Sequence, residues 1–295
     1  MKNMKKLLCL TLGAALSFSL LAACSGGTSS TPAPETTTPA ETTPAETAPA
    51  ETGAADLSSA LIEEGKLIMS TNAAFPPYEM VADGEGVNGS GYEGIDIEIA
   101  YALADKLGLE LVIDDMDFDA ALMAVQNNSA DMMLAGLSYN EERDEEMDFS
   151  DSYATGVQAV IVKEGSDVTM DNLGDYMIGT QRGTTGYIYA SDTPENGGYG
   201  EDHVIGYDNG ATAVQELING TIDAVIIDDE PARNYVAANP DAGLTILDGA
   251  WVEEDYCLAV DEGNTVLLDA LNAALNELKA DGILDAIVAN YITAE

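Results

Sequence analysis

The sequence predicts an α/β fold made of two lobes, and three observations support this prediction. From Leu57 onward, short apolar runs alternate with stretches whose apolar residues recur every three or four positions. This alternation predicts strand–helix units around largely parallel sheets. The part after Leu57 has about 240 residues, more than one small sheet needs, so two α/β lobes are expected. Polar residues follow several strands directly, where ligands bind in open parallel sheets.

The predicted strands are short apolar runs, and the predicted helices show an apolar repeat of three or four residues. The strands cover residues 66–70, 109–113, 132–135, 159–162, 177–179, 224–227, 244–247 and 258–260. The first helix starts near Ile95 and stops at Gly108, because glycine is a common residue just after a helix end. The same spacing predicts helices from Phe118 to Val125, over residues 267–278 and over residues 283–291.

Composition excludes several classes of function. The chain has 10 Lys and Arg against 53 Asp and Glu, a formal net charge of −43. A protein this acidic repels phosphate backbones, which argues against nucleic-acid binding. The single histidine, His203, excludes sites with several histidine ligands, and no calcium-loop motif is present, so neither metal nor cofactor is expected. Three cysteines cannot form a disulfide framework.

The N-terminus has the pattern of an export signal. Three lysines precede a short apolar run that ends at Leu21, too short to span a bilayer comfortably. The following residues Ala22, Ala23 and Cys24 complete a segment that resembles the lipobox of bacterial lipoproteins, in which the cysteine is lipidated and becomes the mature N-terminus. The alternative is an ordinary signal peptide with an incidental cysteine.

We therefore expect a signal peptide at 1–23 and a lipid-anchored tether at 24–56, rich in Pro, Thr and Glu. The repeated Pro-Ala-Glu-Thr of the tether favours extended, polyproline-like conformations and offers little to bury. The expected location is extracytoplasmic, on the outer face of the cell membrane.

Four features after predicted strands have the chemistry of a zwitterion receptor. Asn72 and Phe75 precede the double proline at 76–77, and Arg143 follows the third strand. A Gly-Thr-Thr-Gly turn spans 183–186, and Asp228 directly follows a strand. A guanidinium can bind a carboxylate through two hydrogen bonds. It can equally form a surface salt bridge worth about 0–1 kcal/mol. Asp228 can receive an ammonium group or be one more solvated acid; position alone leaves both pairs of alternatives open.

Taken together, these motifs resemble those of a known family, the amino-acid-binding substrate-binding proteins of ABC transporters (bacterial extracellular solute-binding family 3). The resemblance runs from about Lys66 to the C-terminus and rests on eight motifs in order. They lie at 71–78, 94–97, 117–120, 135–138, Arg143, 148–151, 183–186 and 223–231.

The resemblance implies two lobes that close over one amino acid, joined by two crossover segments. Lobe 1 would comprise 57–153 plus 257–295 and lobe 2 would comprise 158–251. It also implies ligand roles for nine residues. Arg143 would bind the α-carboxylate with Ser138 and the Thr184 region, and Asp228 the α-ammonium with the Gly136 carbonyl. Phe75 and Phe118 would pack on the ligand side chain, where Asn72 and Gln181 would set selectivity.

The function that this resemblance implies is the binding component of an ABC importer, a monomer that delivers an amino acid to a membrane permease. Many members carry Asp where this chain has Asn72, which favours polar or neutral ligands over cationic ones. Two alternatives use the same scaffold. One is a cyclohexadienyl-dehydratase-like enzyme, with Glu98, Glu141 or Glu230 as candidate acids, and the other is an amino-acid sensor.

Overall fold

The computed structural model describes residues 57–249 and 251–292. The predicted signal peptide at 1–23, the lipidation site Cys24 and the tether at 24–56 lie outside the described residues. Within those two ranges, no helix combines the length and the apolar character needed to cross a membrane.

The described part of the chain contains strands β1–β14 and helices α1–α7. The strands are β1 Lys66–Thr71, β2 Ala74–Phe75, β3 Glu79–Val81, β4 Tyr92–Glu93, β5 Glu110–Asp115, β6 Met132–Met133, β7 Met147–Phe149, β8 Ala154–Lys163, β9 Ile178–Gln181, β10 Val204–Tyr207, β11 Ala224–Asp228, β12 Leu244–Ile246, β13 Glu253–Tyr256 and β14 Ala259–Asp261. The helices are α1 Ile95–Leu107, α2 Phe118–Gln126, α3 Thr185–Ser191, α4 Gly210–Asn219, α5 Asp229–Ala238, α6 Thr265–Ala280 and α7 Ile283–Tyr291.

Two mixed sheets form the framework. The first has the order β5-β1-β6-β14-β7, with β1 parallel to β5 and β6, and β14 antiparallel to β6 and β7. The second has the order β10-β9-β11-β8-β12, with β9 parallel to β10 and β11, and β8 antiparallel to β11 and β12. Four of the five strands in each order therefore run in the same direction, as the prediction of largely parallel sheets requires. The exceptions are β14 in the first sheet and β8 in the second, each of which runs opposite to both of its neighbours.

A two-stranded ladder connects the sheets. The first residues of β8 pair with β13 in antiparallel register, from Ala154 opposite Tyr256 to Val157 opposite Glu253. The chain leaves the first sheet through β8 and returns to it through β13 before β14. This confirms the predicted fold class, two α/β lobes joined by two crossover segments.

Helix α1 shows how the sequence pattern becomes packing. Ile95, Ile99 and Leu103 recur every four positions and are fully buried, as the repeat predicts. The helix ends at Gly108, which adopts the left-handed conformation with φ 69° and donates its backbone N–H to the last turn. Burying this face fixes α1 against α6 and α7, and so fixes the loop before it, which contributes to the site described below.

Several elements carry no clear sequence signal. Strands β2, β3 and β4 form a small antiparallel sheet, and β3 and β4 are joined as a hairpin around 82–91. Strands of two or three residues are too short to show a period of two. Helices α3, α4 and α5 and strands β7, β10 and β13 also lie outside the predicted elements.

Candidate functional site

One cavity lies beyond the carboxyl ends of β1, β6, β9 and β11, where ligands bind in open α/β sheets. The space between atoms at this site is about 340 Å³, a figure that includes the part open to solvent. Its lining residues are Asn72, Phe75, Glu79, Phe118, Ala135, Gly136, Ser138, Arg143, Gln181, Thr184, Thr185 and Asp228. All nine residues that the sequence singled out lie in this lining, and Glu79, Ala135 and Thr185 are additions. The ligand roles of the nine remain predictions.

The aromatic part of the wall depends on Gly136. Its backbone has φ +52°, and a Cβ at this position would lie 2.6 Å from Cε1 of Phe75. Only glycine allows the Phe75 ring to approach so closely. The ring also stacks on Tyr78, with 5.8 Å between ring centroids. This apolar surface therefore faces the cavity directly beside the Gly136 backbone.

Arg143 is the cationic group of the cavity. Its side chain is buried, and among the described residues it takes part in no ion pair, so the surface salt-bridge alternative is wrong. Its Nη1 donates to the Ser138 carbonyl at 2.6 Å and its Nη2 to the Gly183 carbonyl at 2.9 Å. The guanidinium carbon lies 5.7 Å from the Phe118 ring centroid, a cation–π contact. Burial lowers the Arg143 pKa to about 10, so the group stays charged near neutrality.

Asp228, the last residue of β11, is the anionic group. It is buried, which rules out the alternative of a solvated surface acid. The Tyr256 hydroxyl donates to its Oδ1, and Gln158 Nε2 donates to its Oδ2 at 2.9 Å. Burial raises the Asp228 pKa to about 7, because these two donors offset only part of the desolvation of the charge.

Two further buried carboxyls lie near Asp228. Asp96 accepts a hydrogen bond from the Gly136 N–H at 2.7 Å and from the Tyr153 hydroxyl at 2.8 Å, and burial raises its pKa to about 7. Glu79 is fully buried, and desolvation together with Asp96 raises its pKa well above the ordinary value. Both Glu79 oxygens and Asp96 Oδ1 are buried without a hydrogen-bond partner among the described residues. Burial without a donor disfavours the charged form of a carboxyl, which agrees with the direction of both pKa shifts.

Amide side chains form another part of the wall. Gln181 Nε2 donates to Asn72 Oδ1 at 2.9 Å, and Asn72 Nδ2 donates to the Met116 carbonyl at 2.8 Å. Asn72 follows β1 of the first sheet and Gln181 ends β9 of the second, so this bond joins the two lobes. Thr184 caps α3: its hydroxyl accepts from the Tyr187 N–H and donates to the Gln181 carbonyl.

Sequence reasoning missed the residues that support the lining from behind. Asp96, Gln158 and Glu254 are all buried and hydrogen-bonded to lining residues. The sequence offered little indication of Glu254, because a Glu-Glu-Asp run is typical of a solvent-exposed segment. In the structure these residues form β13, in which exposed and buried side chains alternate and Glu254 is buried. No group of three or more His, Cys, Asp or Glu in residues 57–249 and 251–292 is placed to hold a metal ion.

Known proteins that are similar to this chain include amino-acid-binding proteins. The family model described as bacterial extracellular solute-binding proteins, family 3, matches residues 67–294. The arginine-binding extracellular protein ArtP of Bacillus subtilis (strain 168) is 31% identical over 232 residues, covering 78% of this chain and 87% of ArtP.

Two solved structures of ancestral arginine-binding proteins are also similar. One, bound to arginine, is 36% identical with a TM-score of 0.70, covering 77% of this chain and 98% of that one. The other, bound to glutamine, is 35% identical with a TM-score of 0.71, covering 79% of this chain and 100% of that one.

Proposed function

Because the chain belongs to the bacterial extracellular solute-binding proteins of family 3, we propose that it binds one free amino acid in this cavity and delivers it to an ABC permease. One observation carries the proposal. Arg143 and Asp228, two buried side chains of opposite charge type, line the same cavity: Arg143 lies between β6 and β7 of the first sheet, and Asp228 ends β11 of the second. An α-amino acid presents the complementary pair, a carboxylate and an ammonium group separated by one carbon.

The proposed roles follow from these positions. Arg143 receives the carboxylate, beside Ser138 and Thr184, and Asp228 receives the ammonium beside the Gly136 carbonyl. The rings of Phe75 and Phe118 contact the ligand side chain. The lobes are 57–153 plus 257–295 and 158–251, and a ligand that contacts both favours their closed arrangement.

We propose a preference for polar or neutral side chains. The support is the Asn72–Gln181 amide pair, which lines the cavity without a fixed charge. A cationic side chain placed there would lose its water without gaining an opposite charge. Arginine is the main competing ligand, because of the two similar structures of ancestral arginine-binding proteins one contains arginine and the other glutamine.

A thermal-shift screen of the twenty amino acids tests the binding proposal. A ligand present at 100 times its Kd stabilises the folded protein by about 2.7 kcal/mol, a shift that is readily measured. Calorimetry on the hits then tests the preference. Arginine or lysine binding at least tenfold more tightly than glutamine and every other neutral amino acid would refute it, and no hit at all would refute amino-acid binding.

We further propose that the protein acts as a monomer outside the cytoplasm, anchored by lipid on Cys24. The support is the order of leader, lipobox and tether in the sequence. In the native bacterium, Cys24→Ser should leave the protein unlipidated, released or retained as the uncleaved precursor. Mass spectrometry of the wild-type N-terminus that shows no acyl chain on Cys24 would contradict the anchor.

No reaction is proposed. A binding protein returns its ligand unchanged, whereas a cyclohexadienyl-dehydratase-like enzyme would consume prephenate. Incubating the purified protein with prephenate separates the two, and measurable turnover would replace the binding proposal with an enzymatic one.

A further inference from the structure

Glu254 lies behind the cavity, on the crossover strand β13, and it is buried. Its Oε2 accepts three hydrogen bonds from different parts of the molecule. The donors are the Thr185 hydroxyl at 2.8 Å, Gln158 Nε2 at 3.0 Å and the Ser138 hydroxyl at 3.2 Å. A buried carboxylate needs such donors to remain charged. The notable point is that two of the three belong to residues that line the cavity.

The number of available protons limits what those two residues can do for a ligand. A Ser or Thr hydroxyl has one proton to donate, and its remaining capacity is as an acceptor. Ser138 and Thr185 each direct that proton to Glu254. In this arrangement neither hydroxyl can donate to a ligand carboxylate.

Glu254 also acts on Arg143. Among the charged groups around Arg143, Glu254 has the largest effect in raising its pKa, against the lowering caused by burial. The Arg143 fork is already directed to two backbone carbonyls, those of Ser138 and Gly183. The positive charge of Arg143 is therefore partly offset by a group of the protein itself, the Glu254 carboxylate.

We propose that Glu254 is an internal counter-carboxylate that limits the affinity of the cavity for a ligand carboxylate. It withholds the Ser138 and Thr185 hydroxyl protons and offsets part of the Arg143 charge. The inference rests on the proposed function, since it assumes that the ligand is an amino acid. For an importer the consequence is useful, because a ligand held by a fully available cationic site would be released slowly.

Removing the charge of Glu254 should lower the stability of the fold and raise the affinity for a ligand carboxylate. Glu254→Gln keeps the shape of the side chain but removes its charge. The fold should become less stable, because a buried cation loses a compensating charge and the three donors lose a charged acceptor. Binding of a ligand carboxylate should become tighter, since the repulsion is gone and the hydroxyls are free to turn. A residue that only supports the fold would lower both quantities.

The experiment compares ligands with and without the carboxylate charge. Calorimetry measures Kd for L-arginine and L-glutamine and for their α-amides, with wild type and Glu254→Gln. The expected result is that the ratio of amide Kd to free-acid Kd rises at least about threefold in the variant. Its urea midpoint should fall. The matched control is Glu253→Gln, the same substitution at the exposed neighbouring position on β13, which should change neither quantity.

Each remaining outcome has a defined meaning. An unchanged or lower ratio in Glu254→Gln overturns the inference while leaving amino-acid binding in place. If the wild type binds neither arginine nor glutamine, the amino acid identified by the thermal-shift screen and its α-amide replace them in the same comparison. No binding of any of the twenty amino acids by the wild type overturns the proposed function and this inference together.

A second variant covers the case in which Glu254→Gln fails to fold. Thr185→Val removes one hydroxyl, and the proposal expects less than about a threefold change in Kd for the free acid. A loss above about tenfold, the size expected for a hydrogen bond to a charged group, would show that Thr185 donates to the ligand and would overturn the inference.

Discussion

At the Arg143 end of the cavity one buried carboxyl, Glu254, acts on a buried guanidinium, whereas at the Asp228 end two carboxyls, Asp96 and Asp228, act on a third, Glu79. Arg143 keeps its charge, because even its lowered pKa of about 10 is far above neutrality. Asp228 and Asp96, with pKa values near 7, are divided between charged and neutral forms at physiological pH. Burial acts on all these groups in the same direction, against the charged form.

The difference shows that the ordinary pKa decides how a buried group responds. The ordinary pKa of arginine is so high that burial cannot lower it to physiological pH. The ordinary pKa of a carboxyl is about 4, and the same desolvation penalty raises it toward pH 7. The carboxylate-binding end should therefore be constant in charge, and the ammonium-binding end should respond to pH.

The largest expected effect comes from removing either charge. Arg143→Ala and Asp228→Asn should each weaken amino-acid binding by about 30- to 4,000-fold, because a ligand charge is left buried and unpaired at a cost of about 2–5 kcal/mol. Calorimetry measures the loss, and circular dichroism checks the fold. Binding by Arg143→Ala within threefold of wild type would refute the zwitterion site.

Arg182 is the control for that experiment. It lies next to Gln181 but is exposed, with its guanidinium 3.3 Å from Asp208. Surface ion pairs contribute about 0–1 kcal/mol. Arg182→Ala should therefore weaken binding much less than Arg143→Ala does.

The second effect concerns pH. A ligand ammonium requires the ionised form of Asp228, whose pKa is about 7 without ligand. Affinity should fall as pH drops below 7, approaching about tenfold per pH unit for one titrating group. Calorimetry at pH 8, 7, 6 and 5 measures this slope. A flat profile would contradict the raised pKa, and Asp228→Asn should remove most of the slope whatever its absolute affinity.

The same carboxyls predict how stability depends on pH. Their pKa values in the folded protein are raised, so between about pH 4 and 7 the folded state binds more protons than the unfolded state, and stability falls as pH rises. For Asp96 this loss amounts to at most about 4 kcal/mol. Asp96→Asn should show a smaller drop in urea midpoint between pH 5 and pH 8 than the wild type shows.

A smaller effect is expected at the amide wall. Asn72→Asp places a carboxylate beside Gln181, and it should shift the ratio of arginine to glutamine affinity toward arginine by about tenfold. Competition calorimetry with both ligands measures the ratio. If the ratio does not move, Asn72 does not face the ligand side chain. Asn140→Asp, near the Arg143 turn but outside the cavity lining, is the matched control.

The smallest effect should come from a contact remote from both charged ends. The Tyr235 hydroxyl on α5 donates to the Ala74 carbonyl on β2 at 2.7 Å, joining residues of the two lobes. Tyr235→Phe should weaken binding by about two- to tenfold, and by the same factor for every ligand, because it acts on lobe closure. Unequal factors for glutamine and arginine would indicate that Tyr235 affects the ligand contacts instead.

The sequence alone predicted the alternation of strands and helices, the two-lobe class and nine of the twelve residues that line the cavity. The alternation follows from apolar periodicity and the lobe number from chain length, whereas the set of nine residues came from the resemblance to the solute-binding family. Because strand ends converge in an α/β sheet, residues as distant as Asn72 and Asp228 could be assigned to one place.

Only the tertiary structure decided how burial shifts the pKa values of those residues and which of them already form hydrogen bonds within the protein. Glu254 and Thr185 are 69 positions apart, and Asp96 meets the Gly136 N–H across 40 positions. No local pattern encodes such pairs. Burial depends on how whole elements pack, and burial is what raises the pKa values of Asp228 and Glu79. The same packing brings the Thr185 hydroxyl within hydrogen-bond distance of Glu254.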